Sequence, residues 1–135
     1  MKERLIAALV LFGLCAWAFA PVTANDFVNY DDNKYLTENP TVQRGWTADG
    51  LRWAFDNDQT ANFHPLTWMS HMLDVQLFGL DATAHHLVSV LLHGLAGCLL
   101  FLALLRYGLH LLPAWLIAAL FLVHPLRVES VAWAA

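Results

Sequence analysis

Long uncharged apolar stretches alternate along this chain with a single polar, aromatic segment. From Leu5 to Asn25 no side chain is charged. A helix needs about 20 apolar residues to cross the hydrocarbon core of a bilayer. The pattern therefore predicts a first transmembrane helix over 5–24. A cleaved signal peptide is the competing reading, because Val22-Thr23-Ala24 resembles a small-residue cleavage site. Pro21 spoils cleavage after Ala20, and the apolar run is long for a signal core, which favours a retained helix. Residues 85–105, HHLVSVLLHGLAGCLLFLALL, contain no Asp, Glu, Lys or Arg, and predict a second span over 85–106. Gly94, Ala96, Gly97 and Cys98 give it a small-residue patch that another helix can approach. A turn at 108–112 leads into a third span over 109–125, with Pro113 near its start, where a missing N–H is harmless. A second external loop opens at 126–135.

The segment 25–84 is patterned differently, and nothing in it is long enough to cross lipid. Asn39-Pro40 reads as a turn. Thr47 is placed to cap a helix over 48–56, with Asp49 favouring its first-turn dipole. Pro65 suits a first helical position, and Gly79 ends the helix that follows, over 65–79. Its apolar positions Leu66, Met69, Met72, Leu73, Leu77 and Leu80 recur at three- and four-residue steps. Trp68 and Phe78 suit a helix resting on the membrane interface or on the spanning bundle. The fold class predicted is all-α integral membrane, with three transmembrane helices and a helical external loop.

Composition strengthens the membrane reading. Of 135 residues, 59% are hydrophobic and only 13% charged, against about 25% charged in soluble domains. Lipid must solvate part of so apolar a chain. Net charge is −4 with seven Lys and Arg, so no basic patch exists to neutralise phosphates, and nucleic acid is excluded as a partner. Lys2 and Arg4 hold the N-terminus in the cytoplasm, which places the acidic loop from residue 26 on the extracytoplasmic side. Between 26 and 81, nine acids face three bases. Cys15 and Cys98 lie inside apolar runs, where a thiol acts as a small hydrophobe rather than a disulfide partner. Leu14 also makes Cys15 a poor lipoprotein cysteine.

Three groups of residues can carry chemistry. Asp31 and Asp32 are adjacent carboxylates beside a low-dielectric surface. Their repulsion raises one pKa and suits general-base work or divalent-cation binding; a solvated acidic loop is the plainer alternative. The spacing of an EF-hand loop is absent. His64, His71 and Asp74 share one helix face, and His86, Ser89 and His93 form a stripe on the second span. These can serve interhelical hydrogen bonds or a site, but they match no zinc signature. His124, Arg127 and Glu129 follow the third span. They can bind phosphate or position a hydroxyl, or they can be interfacial charges. On the predicted topology they join the aspartates in one polar site over the bundle mouth.

The runs FVNYDDNKYLTENP, ANFHPLTWMSHMLDVQLFGL, AHHLVSVLLHG and FLVHPLRVESVAW resemble the N-terminal membrane region of the transmembrane-and-tetratricopeptide-repeat proteins. Those are GT-C glycosyltransferases related to the protein O-mannosyltransferases. The resemblance covers nearly everything from Phe27 to Trp133. It implies a partial GT-C-like bundle that takes a sugar from a polyprenyl-phosphate donor and passes it, with inversion, to a protein hydroxyl. Asp31-Asp32 would be the acidic catalytic motif of the first loop, with Asp31 as the base. His124, Arg127 and Glu129 would bind carrier phosphate, metal or acceptor. His85 and His86 match the family's paired histidines at the mouth of the second span and are grouped with the substrate-binding residues. A divalent metal ion is a candidate cofactor. The family continues past V-E-S-V-A-W with further spans and repeats, so the expectation is a fragment inactive by itself. Two other readings stand beside it: a non-enzymatic membrane scaffold whose acidic loop binds a partner, and a metal-binding membrane protein built on the histidine stripes.

Overall fold

A computed structural model describes residues 1–28, 31–56 and 63–133. All regular structure among them is helical. The helices are α1 (Lys2–Phe19), α2 (Pro40–Gln43), α3 (Ala48–Asp56), α4 (Pro65–Phe78), α5 (Ala82–Arg106), α6 (Leu111–Val123) and α7 (Val128–Ala132). Short 3-10 turns follow α1 and α6, and a π-helical turn covers Asn33–Thr37. The chain forms two compact units, one from Met1–Ala24 with His86–Trp133, the other from Asn25–His85.

The first unit carries the apolar helices. Leu11, Cys15 and Phe19, four residues apart, form the buried stripe of α1, and Ala114, Ala118 and Leu122 form that of α6. Glycine sets the close approaches. A Cβ on Gly94 would stand 2.9 Å from the Phe12 ring, and one on Gly97 would drive into Leu122. Polar groups then bridge the helices. The Cys98 thiol donates to the Ala8 carbonyl at 3.4 Å, and Trp115 Nε1–H donates to the Ala7 carbonyl at 3.2 Å. In hydrocarbon such bonds replace the missing hydrophobic drive between helices. Large side chains such as Leu9, Trp17, Leu95, Leu99 and Leu120 are left outside, as a lipid-solvated surface requires.

Two helices are long and apolar enough to cross a membrane, Lys2–Ala24 and Ala82–Arg106; a third crossing exists only if α6 and its continuation count as one span, bent by 53°. Within the 109–125 stretch expected to span, the regular helix is Leu111–Val123. Pro125 disfavours α geometry in the residue before it, and His124 is extended (φ −65°, ψ 131°). The first helix keeps its expected end, its last turn tightening to 3-10 around Pro21.

The second unit packs Leu36, Val42, Ala54, Trp68 and Met72 into its own core. Thr47 Oγ1 accepts from the Gly50 N–H at 3.0 Å, so α3 begins where its cap predicts. Asn39-Pro40 starts a helix instead of making a free-standing turn. Asn39 Oδ1 accepts from the N–H groups of Thr41 and Val42, with Pro40 at the first position. Gly79, at φ 68°, ends α4.

On α4 it is the placing of Trp68 that is corrected. Trp68, His71, Met72 and Asp74 point inward, while Leu66, Leu73, Leu77 and Phe78 are exposed. Trp68 is 1% exposed and does not sit at an interface. Tyr35 stacks on it at 4.5 Å between centroids, His64 at 5.3 Å, and Trp53 meets it edge-on at 5.0 Å. An aromatic slab buries more area than a leucine row and adds its own ring–ring attraction, so it decides which face turns in.

Candidate functional site

Both halves of the acidic motif are described, although Asn29 and Tyr30 before it lie outside the described residues. The two carboxylates occupy different environments. Asp32 is 1% exposed. Its Oδ2 accepts from the Val28 N–H at 2.7 Å, and its buried Oδ1 has no hydrogen-bond partner among the described residues. Asp31 is partly open to solvent and lies 3.8 Å from Lys34 Nζ. The first carboxylate can reach an external molecule; the second ties the loop to its own backbone.

A second cluster lies in the same unit. His71 and Asp74 stand three residues apart on α4, on its buried face. Asp81 starts α5 by accepting from the Ala84 N–H at 3.1 Å, and the first turn then brings in His85. The nitrogens of both imidazoles and a carboxylate oxygen of Asp74 all lie within 4.8 Å of one another, and all three residues are buried. His85 Nδ1 is 4.0 Å from Asp74 Oδ2, while Nε2 donates to the Gly79 carbonyl at 3.1 Å. The Phe27 ring covers His85 edge-on at 5.6 Å. Burial first, then the nearby His85 and His64, push the His71 imidazole down to about 4. Burial raises the Asp74 carboxyl, with His85 opposing it. The sequence pattern marks the His71–Asp74 spacing, but nothing local marks His85 as their partner.

In the first unit, His86 is buried at the start of its stretch of α5. His93 Nε2 donates to the Leu122 carbonyl at 3.0 Å, with Phe19 edge-on to the ring and Phe121 tilted against it. His93 is thus an interhelical hydrogen bond, the plainer of its two readings. His124 caps the 3-10 turn that holds Arg127, Glu129 lies in the first turn of α7, and all three are exposed. His124 Nδ1 accepts from the Leu126 N–H at 3.2 Å, and the Arg127 guanidinium lies 4.9 Å over the Phe121 ring. Glu129 lines an open groove with Val128, Ala132 and Trp133. An apolar cleft of about 230 Å³, lined in part by Phe12, Phe19, Leu87 and Val90, runs between α1 and α5.

The chain is 30% identical over 146 aligned positions to Protein O-mannosyl-transferase TMTC1 of Mus musculus. The match takes in 93% of this chain but 14% of the mouse protein, so the chain spans about one seventh of that relative's length. No family model and no solved structure matches. The similarity supports a relationship to the family of that mouse protein.

Proposed function

We propose that this chain is the N-terminal portion of a membrane glycosyltransferase of the GT-C type, which moves a sugar from a polyprenyl-phosphate carrier to a protein hydroxyl. The observation that carries this reading is the similarity, along 93% of the chain, to a protein named for O-mannosyl transfer; mannose is accordingly the sugar proposed. Asp31 is the general base. Its carboxylate takes the proton of the acceptor hydroxyl as that oxygen bonds to the sugar's anomeric carbon. The bond from that carbon to the carrier phosphate breaks on the opposite side, inverting the centre, and the phosphate leaves with the electron pair. Arg127 supplies positive charge where the leaving phosphate gains negative charge. His124 and Glu129, on either side of Arg127 in the chain, hold carrier or acceptor, and His85 and His86 support the substrate region from the head of α5. The apolar cleft beside α1 suits a hydrocarbon tail.

Asp31→Asn in the full-length gene product, assayed for transfer from a polyprenyl-phosphate sugar in isolated membranes, is expected to lower the rate by roughly 10²–10⁴, the usual worth of a positioned base. Transfer at the unmodified rate would remove Asp31 from this role.

A further inference from the structure

The geometry points to a divalent transition-metal site, of the zinc class, formed by His71, Asp74 and His85. It lies within the acidic unit and shares only His85 with the residues given roles in glycosyl transfer. The donor set is two imidazole nitrogens and one carboxylate oxygen, a common combination for zinc with a fourth position left open.

The His85–Asp74 contact is not itself a hydrogen bond. The Gly79 carbonyl can only accept, so His85 Nε2 carries its proton. His85 Nδ1 faces a carboxylate oxygen of Asp74 at 4.0 Å. That separation is too long for a hydrogen bond. A cation held between the two atoms would bond to both. The contact from Nε2 to a backbone carbonyl is the usual outer partner of a metal-bound histidine, fixing its tautomer and ring direction.

His71 completes the set. Neither of its ring nitrogens has a hydrogen-bond partner among the described residues, although it is buried. A buried imidazole with both nitrogens unsatisfied is open to ligation through either of them. Among the described residues no Lys or Arg pairs with Asp74, and a buried carboxylate without a cation is costly. The size is also right. With bonds of about 2.0–2.2 Å, neighbouring ligand atoms on a tetrahedral ion stand about 3.4 Å apart. The observed spacing, within 4.8 Å, exceeds that by at most about 1.4 Å, which small side-chain rotations close. Sequence separation gives the ion a structural role: it clamps α4 to the first turn of α5, across the Gly79 break.

The test is metal content of the whole chain, purified in detergent on a tag without histidine and equilibrated with Zn²⁺. One zinc per chain is expected, surviving dialysis. Loading with Co²⁺ should give the visible absorption of a four-coordinate site with nitrogen and oxygen ligands. His71→Gln, Asp74→Asn and His85→Gln should each weaken binding by more than the roughly 10–100-fold that follows loss of an outer partner. His110→Gln, an exposed histidine at the head of α6, should leave it unchanged. Wild-type chain that retains no stoichiometric zinc overturns the site whatever the variants do. So does zinc that stays bound when His71 and His85 are both replaced. Neither readout depends on sugar transfer, so failure here leaves the proposed function standing.

Discussion

Two neighbouring carboxylates show how far residue-level reading reaches. That Asp31-Asp32 matters is visible in the sequence. Which member is structural is not, because the Val28 N–H that captures Asp32 at 2.7 Å reaches it through loop geometry. The division predicts different outcomes for the two. Asp32→Ala strands a partly buried N–H and should cost about 1–3 kcal/mol, whereas Asp32→Asn keeps an accepting oxygen and should cost less. Thermal melts in detergent, followed by tryptophan fluorescence, measure both. Equal losses in the two variants would remove the Val28 bond as the cause. The histidines divide in the same way. His71 and Asp74 were recognisable from their helical spacing, and His93 as a buried polar group. The arrival of His85 from another helix was not recognisable, since no short-range pattern encodes it.

At the scale of elements, boundaries follow local chemistry and buried faces follow tertiary packing. Thr47 and Gly79 mark helix ends in the sequence, and the structure keeps them. Asn39-Pro40 is ambiguous by nature, because an N-cap followed by proline also describes a turn. On α4 the leucine stripe and the aromatic residues mark different faces. Periodicity reports a face, but the aromatic slab of Tyr35, His64 and Trp68 wins the interior. The small-residue patch on α5 was legible, and its two glycines are not equivalent. At Gly94 a new Cβ meets the edge of the Phe12 ring; at Gly97 it meets Leu122 as far in as Cγ. A ring edge can shift, a branch point cannot easily, and Leu122 also supplies the carbonyl that His93 bonds. Gly97→Ala should therefore destabilise by about 1–3 kcal/mol through overpacking. In Gly94→Ala the helix-propensity gain of about 1 kcal/mol offsets most of the strain. A melt series in detergent decides it, and a Gly94 variant less stable than the Gly97 variant would count against this packing.

For the whole molecule the open quantity is how many times the chain crosses the membrane, and that turns on α6. Thirteen helical residues rise about 20 Å, short of the roughly 30 Å hydrocarbon core. The 3-10 turn Pro125–Arg127 adds about 6 Å, though beyond a bend. The uncharged frame from 107 to 126 is nonetheless 20 residues long, bounded by Arg106 at one end and Arg127 at the other. Arg127, lying over Phe121, is placed to snorkel its charge out of lipid. A re-entrant segment would return Arg127 and Glu129 to the side of Arg106; a crossing delivers them to the side of the acidic loop, which the proposed roles of Asp31 and Arg127 require. We expect the crossing. With Cys15 and Cys98 replaced by alanine, single cysteines at Glu38 and at Glu129 should both react with a membrane-impermeant maleimide added outside intact cells. A cysteine at Tyr107 should react only after permeabilisation. Labelling of Glu38→Cys without Glu129→Cys would make α6 re-entrant and separate the two motifs by the bilayer, and the shared catalytic role would end with it.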